Sequence, residues 1–363
     1  MPSSSLRVRS LGATVGIVAA SLGATVAVAP IAGADTGNSF TVTPLVSDQP
    51  GAALTQDTSL VNAWGMSQGP STPVWVSDNG TNVATLYAGA SPSSVTKVPL
   101  TVSLPGDGPT GQAFNPDSSA FMIGPKGHQV PALFLFVTES GALDAWSLNL
   151  PDITQAVNVR SVPSRVYKGL ALAMVNGHAR LYATDFHHGR VDMFDSSFRP
   201  FHRAHAFTDR SLPDGFAPFG IASFGDRIYV TYAKQDAQRH DDVAGVGNGF
   251  VDVYTTDGAL VSRLVSGGAL NSPWGLAIAP SGFGRFGGDL LVGNFGDGLI
   301  HAYDADTGDF EGTLQDTSGQ PILIDGLWAL LFGNGTSAST STLMFSAGPD
   351  GEAHGLFGVI TAG

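Results

Sequence analysis

Apolar and polar positions along this chain recur as paired short runs. An apolar run opening on Gly, once on Ala, is followed by a second run that ends in or beside a polar residue, and the pair occurs six times. The openings are Trp64-Gly65-Met66, Thr110-Gly111-Gln112, Lys168-Gly169-Leu170, Phe219-Gly220-Ile221, Trp274-Gly275-Leu276 and Trp328-Ala329-Leu330. The partner runs end at Asp78, Glu139, Asp185, Tyr232, Asn294 and Ser346. Runs this short, bounded by Gly, Asn, Asp and Pro, predict strands. Beyond residue 35 there is no apolar stripe at helical period. From one opening to the next the spacing is 46, 58, 51, 55 and 54 residues. That is the size of a four-stranded propeller blade.

The fifth unit shows all four strands, at 275–278, 290–293, 299–303 and 310–314, separated by Pro280-Ser281-Gly282, Gly296-Asp297-Gly298 and Asp306-Thr307-Gly308. These separators are turn chemistry, with Gly available for positive φ. The sixth unit stops after Val359-Ile360, too early for an outer strand, while the run Phe40 to Val46 belongs to no earlier blade. Pairing that orphan beside the last unit closes a ring with no unpaired seam. An open solenoid would need no such exchange. The expectation is an all-β, six-bladed β-propeller, one domain over residues 35–363, closed by its N-terminal strand.

Residues 1–34 have the form of a removable signal peptide. Arg7 and Arg9 lead an uncharged apolar stretch from Leu11 to Ala29, and Ala32-Gly33-Ala34 fits a small-x-small cleavage pattern. The sequence therefore predicts a secreted or cell-envelope protein with no membrane span in the mature chain. Net charge is −13, and without those two arginines it becomes −15. An acidic chain repels phosphate backbones, so nucleic acid is excluded as a general partner. Cysteine is absent, which removes thiolate nucleophiles, thiolate metal sites and disulfides. A monomer stabilised by its core is expected.

Propeller geometry sorts these positions in space. Loops leading into the innermost strand and loops joining second strand to third open on one face, around one mouth of the channel. Oxygen donors there include Asn62, Asp78, Glu139, Asp185, Asn294 and Asp325, a set that suits a hard cation such as Ca²⁺. The competing reading is that Asp and Asn after strands are turn residues bonding their own backbone. The fourth unit departs from its siblings with the long loop 233–249, carrying Lys234, Asp236, Arg239, His240, Asp241 and Asp242 ahead of Gly245, Gly247 and Gly249. Long loops on rigid scaffolds concentrate binding residues, so these six are candidate ligand contacts. Arg199 to His205 is read as the outer strand of blade three, a solvated basic edge. Trp64, Trp274 and Trp328 recur at equivalent positions and are read as packing between blades. Gly282 to Gly287 matches G-x-G-x-x-G but opens no helix, so it carries no dinucleotide signal.

Several long motifs together carry a resemblance: Leu60-Val61-Asn62-Ala63-Trp64-Gly65, Phe216-Ala217-Pro218-Phe219-Gly220, Tyr229 to Asp236 with His240-Asp241-Asp242, Asn271-Ser272-Pro273-Trp274-Gly275 and Asp289 to Gly298. The chain resembles a family of bacterial exported conserved hypothetical β-propeller proteins. More distantly it is similar to NHL-repeat and gluconolactonase-like six-bladed propellers, which hold Ca²⁺ at the channel mouth with Glu, Asn and Asp. Their motif does not match position by position, so no ligand is transferred. Two functions follow as expectations. One is a scaffold binding a protein, peptide, glycan or small-molecule ligand with the mouth and the blade-four loop. The alternative is a Ca²⁺-dependent lactonase- or esterase-like hydrolase.

Overall fold

The computed structural model describes residues 37–363; the signal segment read at 1–34 lies outside the described residues. Each predicted unit folds as a small antiparallel sheet. Blade one runs from its inner strand Ala63–Ser67 through Val74–Asp78 and Val83–Ser91 to Ser94–Ser103. The inner strands of blades two to six are Pro109–Phe114, Tyr167–Val175, Phe216–Phe224, Pro273–Ile278 and Leu327–Phe332. In blade five the strands Pro273–Ile278, Leu290–Asn294, Ile300–Tyr303 and Phe310–Thr313 fall where the turn chemistry put them.

The ring closes as the orphan strand required. Phe40–Ser47 pairs antiparallel with Leu356–Ala362, from Phe40 opposite Ala362 to Ser47 opposite Leu356. The register shifts between Pro44 and Val46, where proline has no N–H to give the ladder. Thr55–Gln56 adds a short parallel edge outside it. Blade six therefore takes its outer strands from the other end of the chain, and its order is edge, N-terminal strand, then three C-terminal strands.

Two residue types join neighbouring blades. A Cβ at Gly111 would lie 2.2 Å from the backbone N of Leu170, and one at Gly220 would lie 2.1 Å from the carbonyl O of Trp274. In both, the neighbour is the next blade's inner strand, so only glycine admits this approach. The second joint is a hydroxyl on the second strand. Thr184 Oγ1 accepts from the Gly169 N–H at 2.7 Å and donates to Phe219 O of the next blade at 2.7 Å. Ser346 does the same at the seam, accepting from the Ala329 N–H and donating to Trp64 O.

The outer strand of blade three is the one element that falls short. Only Pro200–Phe201 is strand; 202–203 are irregular and 204–207 are turn. Phe198, His205 and Phe207 all adopt positive φ, which interrupts an extended run. Arg203 instead pairs with Asp257 at 3.2 Å. No helix among the described residues is long and apolar enough to cross a membrane.

Candidate functional site

The channel is sealed near the face where the inner strands begin. In five of the six blades the residue just before the opening glycine or alanine supplies the seal: Trp64, Lys168, Phe219, Trp274 and Trp328; in blade two the same slot holds Thr110, which bonds Tyr167 O instead. Trp64 stacks on Trp328 with centroids 3.5 Å apart, and Phe295 stacks on the same indole at 3.9 Å. Trp274 meets both indoles edge-on. The three tryptophans thus pack between blades, as expected, and also reach across the channel axis: the Trp274 indole N–H donates to Lys168 O, two blades away, at 3.1 Å.

Lys168 is the chemical centre of this mouth. It is 1% exposed. Its Nζ lies 2.5 Å from Glu139 Oε1, 3.1 Å from Asp241 Oδ1 and 5.1 Å from the centre of the Trp64 ring. Burial opposes the ammonium charge, but the two carboxylates more than offset it and hold the pKa above the ordinary lysine value. Lys168 is therefore a fixed cation rather than a nucleophilic amine.

An amide relay extends from this centre. Asn79 Nδ2 donates to Glu139 Oε2 at 3.0 Å, and Asn62 Nδ2 donates to Asn79 Oδ1 at 3.2 Å and to Glu352 Oε2 at 2.9 Å. Asn62 Oδ1 accepts from the indoles of Trp64 and Trp328. Burial pushes the Glu352 carboxyl up, with Glu139 and Asp241 adding repulsion and the Asn62 bond and the Lys168 charge opposing it.

The blade-four loop supplies the other side. Asp236 Oδ1 accepts from the His240 N–H, and Asp236 N donates to Asp241 O, so 236–241 is a tight turn. Its tip sets His240 Nδ1 2.9 Å from Asp241 Oδ1 and delivers Asp241 to Lys168. The loop is fastened behind: Gly245 N donates to Asn271 Oδ1, Gly247 N to Leu270 O, and Ser272 N to Asn248 O. Lys234 and Arg239 are exposed, and Asp242 lies half-buried against blade five with its carboxyl pushed up by burial.

The six oxygen donors separate in three dimensions. Asn62 and Glu139 meet at the mouth through Asn79. Asp78 is fully buried inside blade one, where burial drives its carboxyl well above the usual range. Asp185 is buried in an ion network, 3.0 Å from Arg165 and 2.9 Å from His188. Asn294 donates to Ala269 O, and exposed Asp325 accepts from the Asp350 N–H. Among the described residues, one His/Asp/Glu trio brings its ligand atoms within 4.8 Å of one another: Glu139, His240 and Asp241. Two of those carboxylates already hold Lys168. Glu139 and Asp241 thus converge on an ammonium, and the six predicted donors do not gather round one point as a Ca²⁺ shell requires.

Fold and mouth together define a six-bladed β-propeller with a charged cluster on a sealed channel. No protein-family model matches the chain. One similar sequence is an uncharacterized protein of Acanthamoeba polyphaga mimivirus, 29% identical over 328 residues, covering 87% of this chain and 78% of the relative. Another from the same virus is 29% identical over 327 residues, covering 86% and 83%. These relatives are viral, unlike the bacterial exported family that the motifs resemble. Among solved structures, an α-L-arabinofuranosidase from Fusarium graminearum aligns with a TM-score of 0.53 at 10% identity, over 89% of this chain and 98% of the other. A streptogramin B lyase aligns at 0.52 and 9% identity, over 89% and 97%. At such identities the likeness is one of fold alone.

Proposed function

We propose that this propeller is a non-enzymatic binding scaffold, exported through its N-terminal segment to the cell envelope or beyond and acting as a monomer. Its ligand site is the charged mouth, completed by the blade-four loop. The observation that supports this most is the buried Lys168, held by carboxylates from blade two and the blade-four loop. A buried ion cluster is a poor source of stability, and perturbed charges gather where ligands are met. The exposed carboxylates of Asp241 and Asp350 offer acceptors beside the half-buried Glu139 and Glu352. The matching ligand carries hydroxyl or amino donors, as a glycan or a basic peptide segment does.

The test is binding of the mature chain to arrays of neutral oligosaccharides and of Lys/Arg-rich peptides. Asp241→Ala and deletion of 236–247 should each abolish the signal while the fold survives; undiminished binding by both variants overturns the assignment. The calcium-dependent hydrolase has the donor set against it. Excess Ca²⁺, and separately a chelator, should leave the Tm unchanged, and a stabilisation that follows mass action would reverse that judgement.

A further inference from the structure

The other end of the channel is open. Beyond the aromatic seal, toward the face where the inner strands finish, lies a cavity of about 490 Å³, within the usual span of small-molecule sites, about 300–1,000 Å³. Trp274 lies in its wall beside the seal, and Leu172, Met174, Ile221, Phe224 and Leu331 are among the residues around it. No charged side chain lines it, in a chain whose residues are 13% charged. The two glutamines in the wall are already committed. Gln112 Nε2 donates to Gly65 O at 2.7 Å and Trp75 O at 3.2 Å, while its Oε1 accepts from Ser67. Gln68 Nε2 donates to Phe332 O at 2.6 Å, and its Oε1 accepts from the Ser337 hydroxyl.

We infer that this cavity is a binding site for a small, uncharged molecule with an apolar body and few polar groups, which the Ser223 hydroxyl and main-chain groups of the wall can meet. A charged ligand would give up its hydration with no counter-charge to meet it. A strongly polar one would find both glutamines taken and, of the polar side chains in the wall, the Ser223 hydroxyl left. An apolar molecule gains from burial alone, in proportion to the area removed from water. The walls are preformed, because each inner strand is locked to the next by the glycine and hydroxyl joints, so little ordering opposes binding. Met174, 46% exposed, places an adaptable thioether at the rim. The seal closes the far end, so a ligand would be held in a blind pocket.

The experiment is titration of the mature chain with the neutral fluorophore N-phenyl-1-naphthylamine, following probe emission and tryptophan quenching. Saturable binding of one probe per chain is expected. Leu172→Asp should weaken it by about tenfold or more, since it sets an unpaired charge in the wall. If that variant does not fold, Met174→Glu carries the charge to the already solvated rim. Asp241→Asn, at the opposite mouth, should leave the affinity unchanged. Absence of saturation overturns the inference, as does equal affinity in the charged cavity variants. So does a sedimentation result in which the probe competes with a second copy of the chain capping this face.

Discussion

The two mouths of the channel are made from the same six inner strands, from positions two residues apart along each. The residue before the opening glycine supplies Trp64, Lys168, Phe219, Trp274 or Trp328 to the seal and its ion cluster. The residue after it supplies Met66, Gln112, Leu170, Ile221, Leu276 or Leu330 to the cavity wall. The repeat is thus a means of sorting chemistry by position. One slot collects four aromatic rings, one buried cation and, in blade two, Thr110; a neighbouring slot excludes charge altogether. The charged mouth is built round an ion cluster and capped by a loop, whereas the other mouth is open and lined without charge.

The sharpest way to break this contrast is to remove the cation. Lys168→Ala leaves Glu139 in the mouth without its partner, and breaking a buried pair from one side costs about 3–5 kcal/mol. Denaturant unfolding should show that loss, with Lys168→Ala/Glu139→Gln recovering part of it. Loss below about 1 kcal/mol would mean a solvated pair and would erase the difference between the mouths.

Next in size is the wall that both mouths share. Gly220→Ala drives a methyl against Trp274 O, with only the packed backbones of blades four and five to yield. The expected loss is about 1–3 kcal/mol, read as a shifted denaturation midpoint at constant slope. A neutral result would show that the blades slide easily, and the cavity would then not be preformed.

Much of this ring is legible in the sequence because its signals are local. The pre-glycine slot, the turn separators and the orphan strand at Phe40 each follow from spacing alone. Lys168 stands in the slot that holds tryptophan in three other blades, yet it is not among the expected site residues, because spacing does not show that two carboxylates close on it. What spacing does not carry is the direction of a side chain at a strand end. Asp78 pairs opposite Ala63 and Asp185 opposite Tyr167, each across a register shift from the rest of its ladder. A one-residue shift changes which face a side chain takes, and both carboxylates lie inside their blades while Glu139 reaches the rim. The cavity was equally hidden, because an absence of charge is visible only once six separated segments surround one space.

Charges inside the blades allow a third test, smaller than the first two. Burial raises Asp252 to about 6, with the Tyr254 hydrogen bond opposing and Asp209 reinforcing the shift. The folded chain therefore binds more protons than the unfolded chain between the ordinary value of 3.8 and about 6. Stability from this group should fall as pH rises through that window and level off above it. Asp252→Asn should flatten that part of the pH profile; an unchanged slope would mean that Arg263 keeps the carboxylate ionised in the folded chain.

The smallest effect, and the one that bears most directly on the charged mouth, concerns its cap. Asp241 is pulled upward by burial, yet the Lys168 charge and the His240 bond outweigh this and hold its pKa below 3.8. The sign is opposite to that of Asp252: the contribution is present above the ordinary value and is lost as pH falls through the lower folded one. Asp241 is largely exposed, its side chain 65% accessible, so Asp241→Asn should cost no more than about 1 kcal/mol globally. Locally the change should be plain. In the native chain the amides of 236–248 should be protected above the ordinary value and released as pH falls below 3.8 through the lower folded one, and be less protected throughout in Asp241→Asn. Hydrogen exchange, corrected for intrinsic rates, reads this directly. If the amides stay equally protected in both proteins, the fastenings at Asn271 and Leu270 hold the loop unaided, and Asp241 serves Lys168 rather than the cap.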